Sequence, residues 1–123
     1  MIEQQKVMAF VATRDGKRAR KFYEDTLGLR VISDDDYALA LDAHGTQVRI
    51  QKVASFTPHP FTALGWEVSN IDETVDARRL RGVSFEVFPG MHQDARGVWQ
   101  APSGARVAWF KDPDGNTLSL SEL

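Results

Sequence analysis

Residues that could carry out chemistry are few in this chain, and they lie far apart. There is no cysteine, which excludes disulfides, thiolate metal sites, iron–sulfur clusters and cysteine nucleophiles. The three histidines, His44, His59 and His92, fall in predicted turns and loops, without the close spacing that suggests a metal chelate. The acidic triplet at 34–36 is expected to be a solvated turn. Local sequence therefore predicts neither a nucleophile–base pair nor a metal centre.

Charge and hydropathy exclude several further classes. Fifteen Lys and Arg residues against 17 Asp and Glu residues give a net charge of −2, which argues against a nucleic-acid or anionic-membrane partner. The longest apolar run, Val7 to Ala12, is too short to cross a bilayer. The N-terminal sequence MIEQQK carries an acid and no apolar stretch, so we expect no secretory signal and a cytoplasmic location.

Hydrophobic periodicity predicts two similar halves. Each half has a helix that begins after a capping side chain, Asp15 or Asn70, and ends at a glycine, Gly28 or Gly82. The buried helix positions are expected to be Ala19, Phe22, Tyr23 and Leu27 in the first half, and Ile71, Val75 and Leu80 in the second. The predicted strands span 7–12, 29–33, 37–41 and 47–53, then 63–68, 83–87, 98–101, 106–111 and 117–121.

The internal repeat predicts the fold. Gly45 and Gly115 precede the last strand of each half at the same offset, so both halves have the order strand, helix and three strands. One such unit cannot cover its own sheet. We therefore predict a single α+β domain over 1–123, in which two βαβββ modules, 1–53 and 62–123, are joined by a linker at 54–61. The mixed sheet is expected to curve into a cup with the helices outside.

Three segments carry a family resemblance. They are ATRDGKRARKFYEDTLGLRV (12–31), LGWEVSNIDETVDARRLRGVSFE (64–86) and VAWFKDPDGNTLSLSEL (107–123). Together with the duplication, they resemble the vicinal oxygen chelate superfamily of glyoxalase I, bleomycin-resistance proteins and extradiol dioxygenases. Asp-Pro-Asp-Gly is above all a turn sequence, so the motifs indicate the fold and not the chemistry. The resemblance implies a cup that binds a small molecule, and a homodimer.

Metal-dependent members of that superfamily bind a divalent cation with four residues, usually His or Glu. Carrying those positions over one at a time gives Met8, Arg49, Ala63 and Ser119. None of these is a good ligand for a hard cation, and their neighbours in sequence are no better. We therefore predict no metal and no cofactor. This departure argues against glyoxalase I and extradiol dioxygenase activity, which the resemblance would otherwise imply.

Strand alternation predicts which side chains face the cup. One register directs the aliphatic residues to the helices and the others inward, and gives a ligand-binding set of Met8, Phe10, Arg49, Gln51, Glu67 and Ser119, with Trp109 as a further candidate. Trp99 and Trp109 either line the cup or belong to the core. Arg49 either holds an acidic group of a ligand or pairs with Glu67, so that two buried charges neutralise each other.

Two functions remain open. The first is a metal-independent glyoxalase/bleomycin-resistance-like protein that binds a small organic ligand, acidic or aromatic, in the cup. The second is a glyoxalase-like lyase or dioxygenase-related enzyme with a non-standard active site. For that enzyme, Glu67 is the one inward carboxylate that could act as a general base. Apolar walls with a few convergent polar groups favour the binding protein.

Overall fold

Two compact units make up the chain. The computed structural model describes residues 1–123, which divide into a first unit, Met1–Thr57, and a second unit, Pro58–Leu123. The boundary falls within the segment 54–61 that was predicted as the linker. Each unit holds one helix and a four-stranded mixed sheet, so the α+β class and the duplicated βαβββ order are confirmed. No helix is both long enough and apolar enough to span a membrane.

The first unit begins with a short 3-10 turn and then forms its sheet around one helix. The strand order is β1-β4-β3-β2, with β1 parallel to β4 and the other pairs antiparallel. The elements are β1 (Met8–Thr13), α1 (Gly16–Arg20, which continues as a π-helix over Lys21–Thr26), β2 (Arg30–Asp34), β3 (Ala38–Ala43) and β4 (Thr46–Lys52).

Local signals explain the first helix and the face that it covers. The Asp15 side chain accepts a hydrogen bond from the Arg18 amide, which satisfies one of the free N–H groups of the first turn. Helix α1 packs on β3 and β4. The core of this unit consists of fully or almost fully buried side chains: Val11, Ala19, Tyr23, Leu39, Leu41, Val48 and Ile50.

The second unit repeats this topology. Its strand order is β5-β8-β7-β6, and β5 is again parallel to the last strand. The Asn70 side chain caps the helix by accepting a hydrogen bond from the Glu73 amide. The elements are β5 (Thr62–Glu67), α2 (Ile71–Leu80), β6 (Trp99–Gln100), β7 (Arg106–Lys111) and β8 (Thr117–Glu122). The core on the α2 side of the sheet contains Ile71, Val75, Ala108, Phe110, Leu118 and Leu120.

Three predictions about these elements are wrong. The strand predicted at 83–87 is a loop with one bridge, Phe85 to Phe110, because it meets β7 only near Phe110, while β6 pairs with β7 at Arg106 and Val107. Leu80, expected in the core, is 89% exposed at the end of α2. Val7 precedes β1 and is also exposed, since the strand begins one residue later than predicted.

Candidate functional site

The open face of the first sheet is the face that α1 does not cover. Its central row runs across three strands as Phe10, Arg49 and Ala40, which are direct register partners. The flanking rows contain Met8 and Gln47 on one side, and Ala12 and Gln51 on the other. The predicted register of β1 and β4 is confirmed: Met8, Phe10, Arg49 and Gln51 share one face, while Val11, Val48 and Ile50 are buried on the other.

Arg49 is the charged centre of this open face. Its side chain is half-buried, and one guanidinium nitrogen donates to Gln47 Oε1 at 3.1 Å. Within the first unit it forms no salt bridge. Hydrogen bonds from the amides of Tyr37 and Ala38 lower the pKa of Asp35, and the charge of Arg49 lowers it further. The remaining guanidinium N–H groups are therefore available to an oxyanion.

Apolar side chains surround that charge. Phe10, the register partner of Arg49, is 58% exposed, and Met8 is 43% exposed. A solvent-facing phenyl ring and thioether beside a guanidinium form an amphipathic surface that can hold an apolar body and an acidic group at once. The alternation of β1 was enough to predict this surface from the sequence.

The open face of the second sheet lies opposite α2. One row crosses the sheet as Gly65, Ser119 and Trp109, and the next as Glu67, Ser121 and Val107, with Trp99 beside Val107 on β6. The predicted residues Glu67, Trp109 and Ser119 therefore share one face. Ala63, which was expected to follow the same alternation, lies instead in a β-bulge between Thr62 and Leu64.

Ser119 is a buried residue of this second face and lies between Gly65 and Trp109 in its row. It is 7% exposed, and none of the hydrogen bonds within the second unit involves its hydroxyl group. Its neighbour on β5 is Gly65, where a Cβ atom would lie 2.5 Å from Ser119 Oγ and 3.3 Å from the Ser119 carbonyl oxygen. A glycine is therefore required for this close approach of β5 to the serine.

Three aromatic rings form a cluster on the same face. The ring centroids of Trp99 and Trp109 are 6.0 Å apart with an interplanar angle of 37°, and the Phe88 ring meets Trp109 edge-on at 5.6 Å. All three side chains are half-buried. The structure thus places both tryptophans on the Ser119 face and not among the core residues under α2. Phe88 was not predicted, because it lies in a loop whose path no local pattern specifies.

Glu67, the candidate general base, is exposed to solvent. No hydrogen bond or ion pair of the second unit involves its carboxylate, so nothing there orients it as a base. Glu67 is exposed and Arg49 is half-buried, so neither charge is fully desolvated.

The donor set does not fit a divalent metal ion. The four positions that the family resemblance assigns to ligands hold a thioether, a guanidinium, a methyl group and a hydroxyl group, in Met8, Arg49, Ala63 and Ser119. A hard or borderline cation requires carboxylate or imidazole ligands, and the guanidinium would repel it. Elsewhere in the structure, no group of three or more His, Asp or Glu side chains could hold a metal ion.

The remaining motifs have structural roles. The Asp112 carboxylate accepts hydrogen bonds from the amides of Asp114 and Asn116 and from Asn116 Nδ2, which closes the turn before β8. In the acidic triplet, a hydrogen bond from Lys52 and a second from Arg20 lower the pKa of Asp34. These carboxylates stabilise turns and ion pairs of their own units.

Comparison with known proteins gives one family. The model of the Glyoxalase/Bleomycin resistance protein/Dioxygenase superfamily matches residues 5–120. No curated protein is significantly similar to the chain. A crystal structure of a superfamily member from Sphaerobacter thermophilus is 26% identical, with a TM-score of 0.74 and 100% of both chains covered.

Two further crystal structures share the fold at lower identity. A Bacillus anthracis protein assigned to the glyoxalase family is 20% identical, with a TM-score of 0.76 over 97% of this chain and 94% of that one. TnmS3, an antibiotic binding protein from a Streptomyces species, is 21% identical, with a TM-score of 0.72 over 99% of this chain and 98% of that one.

Proposed function

Because the chain belongs to the Glyoxalase/Bleomycin resistance protein/Dioxygenase superfamily, we propose that it is a metal-independent member that binds a small organic ligand. The ligand carries an acidic group and an apolar, ring-containing body. The single observation that supports this proposal most directly is the surroundings of Arg49. A half-buried guanidinium lies between Phe10 and Ala40 and forms no salt bridge in its own unit.

Each open face offers its own set of contacts to a small organic molecule. On the first sheet, Arg49 binds the acidic group with charge-assisted hydrogen bonds, Met8 and Phe10 contact the apolar body, and Gln51 adds a hydrogen bond. The open face of the second sheet offers an indole ring in Trp109 and polar groups in Ser119 and Glu67. TnmS3 supports a binding role for this fold, since it is described as an antibiotic binding protein.

Binding is favoured over catalysis because of the residues on these faces. A glyoxalase-type reaction relies on a metal ion as Lewis acid, and the side chains at the four assigned positions do not suit one. Glu67, the candidate base, is exposed, and no other side chain of its unit orients it. We further propose that the functional form is a homodimer, as the family resemblance implies.

Native mass spectrometry of the protein purified from its own cells tests the proposal. We expect a bound organic compound at close to one per chain, and elemental analysis without a stoichiometric metal. A turnover assay with methylglyoxal and glutathione, with and without added Zn²⁺ or Ni²⁺, is expected to show no activity. Metal-dependent turnover, or a tightly held metal at one per chain, would overturn the proposal in favour of the enzyme.

A further inference from the structure

The loop over residues 85–99 approaches β7 twice. Its outgoing limb (85–88) bonds to β7 through the Glu86 amide, which donates to the Trp109 carbonyl at 2.8 Å. Its returning limb (97–99) leads into β6, where Trp99 pairs with Val107. Each limb carries one ring of the aromatic cluster, Phe88 on the outgoing limb and Trp99 on the returning limb. The cluster therefore depends on how the two limbs are held together.

One side chain joins the limbs. Gln93 Oε1 accepts a hydrogen bond from the Phe88 amide at 2.7 Å. Gln93 Nε2 donates to the carbonyl oxygens of Glu86 at 2.9 Å and Gly97 at 2.8 Å. The amide oxygen of Gln93 therefore binds the outgoing limb, and its amide nitrogen donates one hydrogen bond to each limb. A side chain with acceptors alone or donors alone could not make these three bonds.

The returning limb is also attached to the helix. Asp94 Oδ1 accepts from the amides of Arg96 and Val98, both at 2.9 Å. The Arg96 guanidinium forms a bidentate pair with Asp76 on α2, at 2.9 and 3.1 Å. Each limb is bonded to β7, and Gln93 is the side chain that bonds the two limbs directly to each other.

We infer that Gln93 is a positioning residue for a ring-binding subsite made of Phe88, Trp99 and Trp109. The inference rests on the proposed function, because the cluster lies on the face that we assign to the ligand. Three uncharged aromatic side chains, half-buried and held at fixed angles, suit a flat, uncharged ring system. Because Gln93 orders the loop on folding, the ligand does not have to order it on binding.

Gln93→Glu is the decisive variant. It keeps the acceptor for the Phe88 amide but places a carboxylate oxygen against the carbonyls of Glu86 and Gly97. At neutral pH this repulsion separates the limbs, and burial beside two carbonyls raises the pKa of the new carboxyl group. Protonation at lower pH returns a donor and brings the limbs together again. The matched control is Gln100→Glu, the same change at an exposed position on β6.

Two measurements report on the cluster. Indoles that lie 6.0 Å apart couple their transitions, so the Trp99–Trp109 pair is expected to give an exciton couplet in the far-ultraviolet circular dichroism of the ligand-free protein. Quenching of tryptophan fluorescence measures binding of 2-naphthol, a flat, uncharged probe. In Gln93→Glu we expect a reduced couplet and about tenfold weaker 2-naphthol binding at neutral pH, both recovering as the pH is lowered. Gln100→Glu should behave as the wild type.

Phe88→Leu keeps the backbone bonds and removes one ring, so we expect weaker 2-naphthol binding with the couplet retained. A couplet in Gln93→Glu that equals the wild type at neutral pH would overturn the inference, whatever compound the native protein holds. Equal 2-naphthol affinity in wild type and Phe88→Leu would overturn the ring subsite. A pH-dependent couplet in Gln93→Glu from a protein that holds no compound would support the positioning role and count against the proposed function.

Discussion

Replacing Arg49 by methionine separates the two roles that the sequence leaves open for this arginine. Methionine keeps a flexible, unbranched apolar side chain comparable to the aliphatic stem of arginine, and it removes the charge and every donor. If Arg49 holds an acidic group of the ligand, Arg49→Met weakens binding and lowers the free energy of unfolding only slightly. If Arg49 neutralises Glu67, the same change leaves a carboxylate without its partner and lowers the free energy of unfolding.

The structure sets the size of each effect. Within its unit Arg49 gives up one hydrogen bond, 3.1 Å long, to Gln47, and since both side chains are only partly buried, water replaces most of it. We expect a loss of about 0.5–1 kcal/mol in the free energy of unfolding. Loss of a charge-assisted contact to a ligand carboxylate costs about 1.5–3 kcal/mol, which weakens binding roughly 10- to 150-fold.

Urea unfolding and fluorescence titration measure the two quantities. The acidic probe is 2-naphthoate, and 2-naphthol is its uncharged counterpart. We expect Arg49→Met to lose affinity for 2-naphthoate and to keep its affinity for 2-naphthol. Arg30→Met is the matched control, because Arg30 lies in the same sheet and its guanidinium already pairs with Asp42 at 3.3 Å. This control should bind both probes as the wild type does.

Two results would refute this reasoning. Equal affinity of Arg49→Met and wild type for 2-naphthoate would show that Arg49 does not bind the acidic group. A loss of about 3 kcal/mol or more in the free energy of unfolding would show a desolvated ion pair, contrary to the exposed position of Glu67.

Two further predictions concern stability. Gly65→Ala introduces a Cβ atom 2.5 Å from Ser119 Oγ, so we expect it to destabilise the protein by about 1 kcal/mol in urea unfolding. Partial recovery is expected in the double variant that adds Ser119→Ala, which removes that oxygen, and unchanged stability of Gly65→Ala would contradict the close packing. The pKa of Asp34 is lowered chiefly by Lys52, so its stabilising contribution is present above the ordinary aspartate pKa and is lost as the pH falls through the lowered value. Lys52→Met should flatten this acid loss by less than about 1 kcal/mol, since the Asp34 and Lys52 side chains remain 25% and 26% exposed. An identical pH profile would refute the role of Lys52.

The parts of the fold that could be predicted are those encoded by neighbours in sequence. Asp15 and Asn70 cap their helices as expected, because a capping bond spans only three residues. The faces of β1 and β4 followed from period-two alternation, since a register slip would bury Arg49 under the helix.

The parts that failed depend on distant partners. Residues 83–87 have the composition of a strand, yet they bridge β7 only at Phe110, while β6 pairs with β7 at Arg106 and Val107. Phe88 joins the aromatic cluster because Gln93 fixes its backbone from five residues away. A single glutamine in a loop gives no periodic signal, so neither residue could be assigned to the site from the sequence.

The duplicated topology explains how one frame supports two different surfaces. Arg49 and Ser119 occupy equivalent positions, each four residues after the hairpin glycine and in the centre of its row. In the first unit, the neighbour on the first strand is a large ring, Phe10, and the neighbour on the third strand is the small Ala40.

In the second unit this order of sizes is reversed, with Gly65 on the first strand and Trp109 on the third. Backbone pairing fixes which residue lies in the centre of the row. The side chains on either side of it can differ in size, provided that they are not both large. The duplication therefore preserves the register while the position of the ring and the central polar group change. For this reason the residues of its own central row determine the chemistry of each face, and the ligand contacts of one unit do not predict those of the other.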